Sequence, residues 1–244
     1  MGVSLIGTLN VGDFALLSDL SGYLGTGLKP KTLKPAAHGL SGRKRKIMLT
    51  YQAFTEKKSF NFEEILAFAY GTLVSDPPPF FDARLPAPPF LMFDRITMIE
   101  TNGKGGKIVA EQDIRLDAWY FQCHMPGDPV QPGCLGVDAI WQLLGYYCVW
   151  RGALGTGRAL GCADVSFNGQ IRPYNKTVRF EADVRRFSRL KESGASLVIG
   201  DGRIFVDDEL IATVDQARVG VFKDIVYPDY PNRSKNSIGG MMNR

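Results

Sequence analysis

His124 stands ten residues before Cys134 and fourteen before Asp138, and the stretch Pro126–Gly133 between them holds three prolines and two glycines. A histidine titrates near neutrality and can take a proton, and an aspartic acid can give one. The N–H groups that open a helix have no partner within it, so those of Gly133 and Cys134 point forward and could hold a developing oxyanion. Gly133 has no side chain to keep a carbonyl away from its backbone. A base, an acid and two N–H donors describe removal of a proton α to a thioester, with loss of a β-hydroxyl. Taken singly, each feature has a plainer reading: a structural histidine, a turn before a helix, and a helix-terminus acid favoured by the macrodipole.

The elements that must position these groups are a rigid loop, Pro126–Gly133, and the helix that follows it. Cys134–Trp150 is apolar almost all round, interrupted chiefly by Asp138 and Gln142, and a helix of that kind is buried on most faces. Isolation among apolar neighbours would raise the pKa of Asp138 and let it keep a proton, whereas the macrodipole would lower it; the sequence leaves both readings open. Upstream, Asn61 and Glu64 predict a capped helix running through Tyr70 and closed by Gly71. Pro77, Pro78, Pro79, Pro86, Pro88 and Pro89 predict an extended connector over 77–89. Strands are predicted at Phe90–Ile99, Lys107–Ile114, Arg158–Phe167, Thr177–Phe187, Ser196–Val206 and Leu210–Phe222, with Asp207-Asp208 as a hairpin turn. One hydrophobic helix among long antiparallel strands is an α+β layout in which the sheet wraps the helix. A doubly wound parallel sheet would need helices between the late strands, and none is legible there.

Charge and composition bound the partners. The net charge of +4 over 244 residues is concentrated in residues 1–47, which carry seven Lys/Arg against Asp13 and Asp19. The remainder carries 22 basic and 23 acidic groups, so bulk charge does not mark a nucleic-acid binder. Residues 1–47 read as a flexible basic extension, with an upstream start or a targeting segment for organelle import as alternatives. Residues 48–228 read as one domain and 229–244 as a disordered tail. No apolar run is long enough to span a bilayer. Cys123, Cys134, Cys148 and Cys162 form no C-x-x-C pair, which fits a reducing, cytoplasmic compartment. With His38 and His124 the only histidines, no metal site is expected and no cofactor is implied.

The wording around these residues is specific. His124-Met125-Pro126-Gly127-Asp128-Pro129-Val130-Gln131-Pro132-Gly133-Cys134-Leu135-Gly136-Val137-Asp138-Ala139-Ile140-Trp141-Gln142-Leu143-Leu144-Gly145 closely resembles the signature of the bacterial β-hydroxydecanoyl-ACP dehydratase/isomerase family. Matching stretches are Leu85-Pro86-Ala87-Pro88, Met92-Phe93-Asp94-Arg95, Arg158-Ala159-Leu160-Gly161, Val165-Ser166-Phe167-Asn168-Gly169-Gln170 followed by Pro173, and Val219-Gly220-Val221-Phe222. The strong resemblance covers about residues 85–224, with a weaker likeness back to about 58.

The resemblance implies a hot-dog fold and a homodimer whose acyl tunnels lie at the subunit interface, each site taking His from one chain and Asp from the other. His124 matches the catalytic base, Asp138 the acid that protonates the departing hydroxyl, and the N–H groups of Gly133 and Cys134 the donors to the thioester carbonyl. Val130, Trp141, Gln142, Phe167, Gly169 and Gln170 fall near the site and tunnel. A sister dehydratase family without efficient isomerisation carries Glu at the acid position; Asp138, followed by Trp141-Gln142-Leu143, favours the bifunctional family. The substrate implied is a 3-hydroxyacyl chain on acyl carrier protein, an acidic partner that Arg185, Arg186, Arg189 and Lys191 could dock. Met125-Pro126 replaces a bulkier apolar pair, and Gln131 stands where Met is usual, so loop stiffness and rim polarity are expected to differ from the family's. The rival readings are an elongation dehydratase without isomerase activity, an acyl-thioesterase, and a non-catalytic acyl-binding module on the same fold.

Overall fold

The computed structural model describes residues 48–190, 193–223, 225–226 and 238–239, which fall in one compact unit. The readings made for residues 1–47, for Lys191 and for most of the tail lie outside the described residues.

Thr50 starts a short helix that the sequence reading missed, α1 (Tyr51–Glu56), its hydroxyl accepting the Ala53 N–H at 3.2 Å. α2 (Phe62–Ala69) forms where the Asn61/Glu64 spacing predicts it. Asn61 Oδ1 accepts the Glu64 N–H at 2.9 Å, and Glu64 Oε2 accepts the Asn61 N–H at 3.0 Å. Gly71, at φ +73°, closes that helix.

The proline-rich connector is not extended throughout. It turns at Pro78, whose carbonyl accepts the Phe81 N–H at 3.2 Å, and again at Ala87, whose carbonyl accepts the Phe90 N–H at 3.0 Å. The strand expected from Phe90 begins only at Arg95, as β1 (Arg95–Asn102). Phe90 and Met92 give their carbonyl and N–H, respectively, to the side chain of Gln142, so those groups are not free for a ladder.

β2 (Gly105–Asp113) returns against β1, and a second unforeseen helix, α3 (Trp119–Cys123), ends at His124. The long helix α4 (Gly133–Trp150) follows, then β3 (Thr156–Gly161), β4 (Asp164–Phe167), β5 (Thr177–Arg189), β6 (Ser196–Val206) and β7 (Glu209–Phe222). These strands form one antiparallel sheet in the order β1-β2-β5-β6-β7-β3, with β4 also on β7. The single strand expected over 158–167 is broken because Gly161 turns to φ +126°; β3 and β4 then pair with different stretches of β7. Asp207 and Asp208 make the expected hairpin turn, both at positive φ (47° and 71°). A two-residue strand, β8 (Ile225–Val226), pairs with β9 (Ile238–Gly239), which lies within the stretch read as a tail.

α4 packs on β5, β6 and β7 and carries thirteen buried residues, Leu143 and Leu144 among them with no exposed surface. β6 alternates strictly between buried and half-buried positions, the period-2 pattern of a strand with one face on the core. Glycines on that face let the helix come close: a Cβ at Gly202 would sit 2.7 Å from Ile140, and one at Gly200 3.0 Å from Leu144. Beyond the sheet edge, Phe54 of α1 and Phe68 of α2 pack on Tyr146 of α4, the Phe68–Tyr146 centroids 4.8 Å apart. Each fully buried side chain of this kind contributes about 1.5–3 kcal/mol.

Candidate active site

The loop that carries His124 is held by its own backbone and by one ion pair. Met125 and Asp128 exchange N–H···O bonds at 3.0 and 2.9 Å, and the Val130 N–H reaches His124 O at 2.8 Å. Arg172 binds the Asp128 carboxylate and donates to Pro129 O at 3.2 Å, and the Gln131 N–H donates to Ile171 O at 3.0 Å. Within this frame His124 Nδ1 lies 2.9 Å from Val130 O. A carbonyl oxygen only accepts, so Nδ1 holds a hydrogen, and in the neutral ring the lone pair is on Nε2.

α4 starts at Gly133, one residue earlier than expected. Pro132 offers no side-chain cap, and the first turn has no acidic residue. The Leu135 N–H turns back to Pro132 O at 3.0 Å. The N–H groups of Gly133 and Cys134 have no backbone acceptor among the described residues, as the start of an uncapped helix dictates. A Cβ at Gly133 would lie 2.7 Å from the Phe167 ring, so only glycine fits there without displacing it.

Asp138 is half-buried on the second turn of α4. Burial pushes its carboxyl above the usual carboxylate range, and a hydrogen bond from Gln142 opposes part of that rise. Gln142 Nε2 donates to Asp138 Oδ2 at 2.6 Å and to Phe90 O at 2.9 Å. Of the two readings the sequence left open, the direction of the shift is the one that desolvation gives.

The expected site residues divide between two cavities. His124, Val130, Gly133 and Cys134 line one of about 690 Å³, together with Phe167, Gly169 and Gln170. Asp138, Trp141 and Gln142 line another of about 380 Å³. Arg84 and Arg158 also line the Asp138 cavity and were not picked out from the sequence; Arg158 lies in a stretch quoted only for its resemblance. Gln131 was placed on a polar rim but is 3% exposed, inside the wall of the His124 cavity. Its neighbours Val130 and Pro132 were the available signal for burial.

The basic residues near the end of β5 have separate engagements. Arg185 binds the Asp201 carboxylate, Arg186 donates to Ser188 Oγ at 2.8 Å, and Arg189 donates to Arg151 O at 2.5 Å.

An antiparallel sheet wrapped around a central apolar helix, with candidate chemistry where that helix begins, defines a hot-dog protein. The family model described as "FabA-like domain" matches residues 85–215, more than half of the chain, and the chain belongs to that family. Among solved structures, the dehydratase heterocomplex ApeI:P from Xenorhabdus doucetiae matches at 12% identity and TM-score 0.39, over 62% of this chain and 88% of that one. A variant of an acyl-CoA hydrolase from Staphylococcus aureus matches at 15% identity and TM-score 0.33, over 48% and 65%. A variant of the phenylacetic acid degradation protein PaaI from Thermus thermophilus matches at 15% identity and TM-score 0.34, over 52% and 91%.

Proposed function

We propose that this chain is a (3R)-3-hydroxyacyl-ACP dehydratase that also isomerises the trans-2 to the cis-3 alkene, a lyase of unsaturated fatty acid biosynthesis in the cytoplasm. The observation that carries the reading is the anchoring of His124. Its Nδ1 is held by Val130 O, so the basic nitrogen of the neutral ring is Nε2, on a residue that lines one cavity with Gly133 and Cys134.

In this reading His124 Nε2 takes the C2 proton. The electrons of the C–H bond move into an enolate whose oxygen is held by the Gly133 and Cys134 N–H groups. The C3–O bond then breaks while Asp138 gives its proton to the departing hydroxyl, so water leaves and the trans-2 alkene remains. The raised pKa of Asp138 suits a group that must arrive protonated. Isomerisation reuses His124, which removes a C4 proton and returns one to C2. Because His124 and Asp138 line separate cavities of one chain, a complete site draws His124 from one protomer and Asp138 from a second copy. The substrate arrives on acyl carrier protein, and Arg186 is an exposed arginine available to meet it.

Incubation with (3R)-3-hydroxydecanoyl carrier protein, followed by gas chromatography and mass spectrometry of the products, tests the reading. Trans-2- and cis-3-decenoyl products together support it. Trans-2 product alone reduces it to an elongation dehydratase, release of free acid supports a thioesterase, and no turnover leaves an acyl-binding module.

A further inference from the structure

Gln131 has a buried side chain with nothing to bind. The residue is 3% exposed, and neither its Oε1 nor its Nε2 has a hydrogen-bond partner among the described residues. Its backbone is fixed, the N–H donating to Ile171 O at 3.0 Å, and it follows Val130, whose carbonyl holds His124. It forms part of the wall of the His124 cavity, which Ile171, Ile204, Ile211 and Ala212 line together with the polar Asp128, Asn168 and Gln170. A buried amide is costly to leave unpaired, and buried polar groups in folded proteins nearly always find a partner. Both amide atoms are fully buried, covered toward the cavity as well as toward the outer surface, so it is a rotation of the side chain toward the cavity that would bring the amide to a bound group.

An amide presents one acceptor and two donor hydrogens, and a hydroxyl is a small group that both donates and accepts. An alkyl segment at the same place leaves the amide unpaired. We propose that Gln131 is a specificity-determining residue whose amide turns into the cavity to hydrogen-bond the hydroxyl of the bound acyl chain, so that the site takes hydroxyacyl chains over plain alkyl ones. The inference rests on reading this cavity as the acyl site and names what selects the substrate there. Methionine at this position fills the same volume without an amide, so the parent chain and Gln131→Met differ in that one recognition element.

Isothermal titration of the full chain with decanoyl-pantetheine and (3R)-3-hydroxydecanoyl-pantetheine, each with an amide nitrogen in place of the thioester sulfur, provides the test. The parent chain is expected to bind the hydroxylated probe tighter by about tenfold, within the range that one unpaired buried polar group produces. Gln131→Met is expected to bring the ratio close to one, chiefly by binding the plain probe more tightly. Equal affinities in the parent, no binding of either probe, or an unchanged preference in Gln131→Met overturns the proposal. Should Gln131→Met fail to fold, Gln131→Asn withdraws the amide by one methylene and is expected to lose most of the preference; full retention overturns the proposal. Turnover of the thioester by the same preparation separates the two ideas. Dehydration without a binding preference sinks the role of Gln131 alone, whereas a preference without dehydration sinks the dehydratase reading alone.

Discussion

His124 and Asp138, fourteen residues apart, line two different cavities of the same chain. In the proposed reading, a site needing both side chains is assembled from two protomers. His124→Asn and Asp138→Asn are each expected to be inactive alone, but mixing them under conditions of subunit exchange should restore about a quarter of the parent activity, since half the dimers are mixed and each carries one intact site. The check is a turnover assay before and after exchange. No recovery, despite mixed dimers confirmed by native mass spectrometry, would place both residues in one protomer's site or remove one of them from it.

Asp138→Asn should lower kcat for dehydration by about 10²–10⁴ while acyl binding persists, because an amide does not hand over a proton. The same substitution has a stability signature. Burial raises the folded-state pKa of Asp138, so the folded chain holds its proton more tightly than the unfolded one, and stability falls as pH rises through that raised value. Asparagine removes the penalty. The Tm of Asp138→Asn should exceed that of the parent near pH 8 and lose its advantage near pH 4, about the ordinary value for an aspartate. A pH-independent difference would show that the carboxyl is not desolvated.

At the start of α4 the backbone is proposed to act, not the thiol. Cys134→Ala should therefore keep kcat within about twofold, whereas a lost oxyanion donor costs about 10²–10³. Gly133→Ala should be severe, since its Cβ would lie 2.7 Å from the Phe167 ring and crowd the approach to the N–H. Steady-state kinetics on a small hydroxyacyl thioester compares the two. A large loss in Cys134→Ala would point to chemistry at sulfur.

Arg185 is committed to Asp201, whose other oxygen accepts the Gln216 N–H at 3.0 Å, so changing it disturbs the bulge between β6 and β7. Among the described residues Arg186 donates only to Ser188, and it gives the cleaner test of carrier docking. Arg186→Glu should raise KM for the carrier-bound substrate several-fold and leave a pantetheine thioester unaffected. Equal effects on both substrates would assign Arg186 a structural role.

Much of the fold was legible where local chemistry decides. The Asn61/Glu64 box, the Asp207-Asp208 turn and the nearly all-round apolarity of α4 each carry their own instruction. The reading failed where a distant side chain competes for the backbone. Nothing near Phe90 announces that Gln142, fifty-two residues on, binds its carbonyl and delays β1. Likewise Gly161 marks a break only once β7 is there to offer two separate pairing stretches. The candidate site residues were readable as a set because they cluster around one loop and one helix. Their division between two cavities was not, since it depends on how α4 lies on β5, β6 and β7. Gln131 was misplaced for the same reason, a polar residue in a proline-rich loop being ordinarily solvated.

Gln142 leaves the two oxygens of Asp138 unequal. Its two amide hydrogens go to Asp138 Oδ2 and Phe90 O, and its own oxygen accepts the Met92 N–H at 3.1 Å, so the amide has no hydrogen left to give. Oδ2 is thereby a fixed acceptor, and when the carboxyl is protonated the hydrogen resides on Oδ1, which carries no hydrogen bond among the described residues. One side chain thus anchors the connector before β1 and also fixes the direction from which the acid's proton can be delivered.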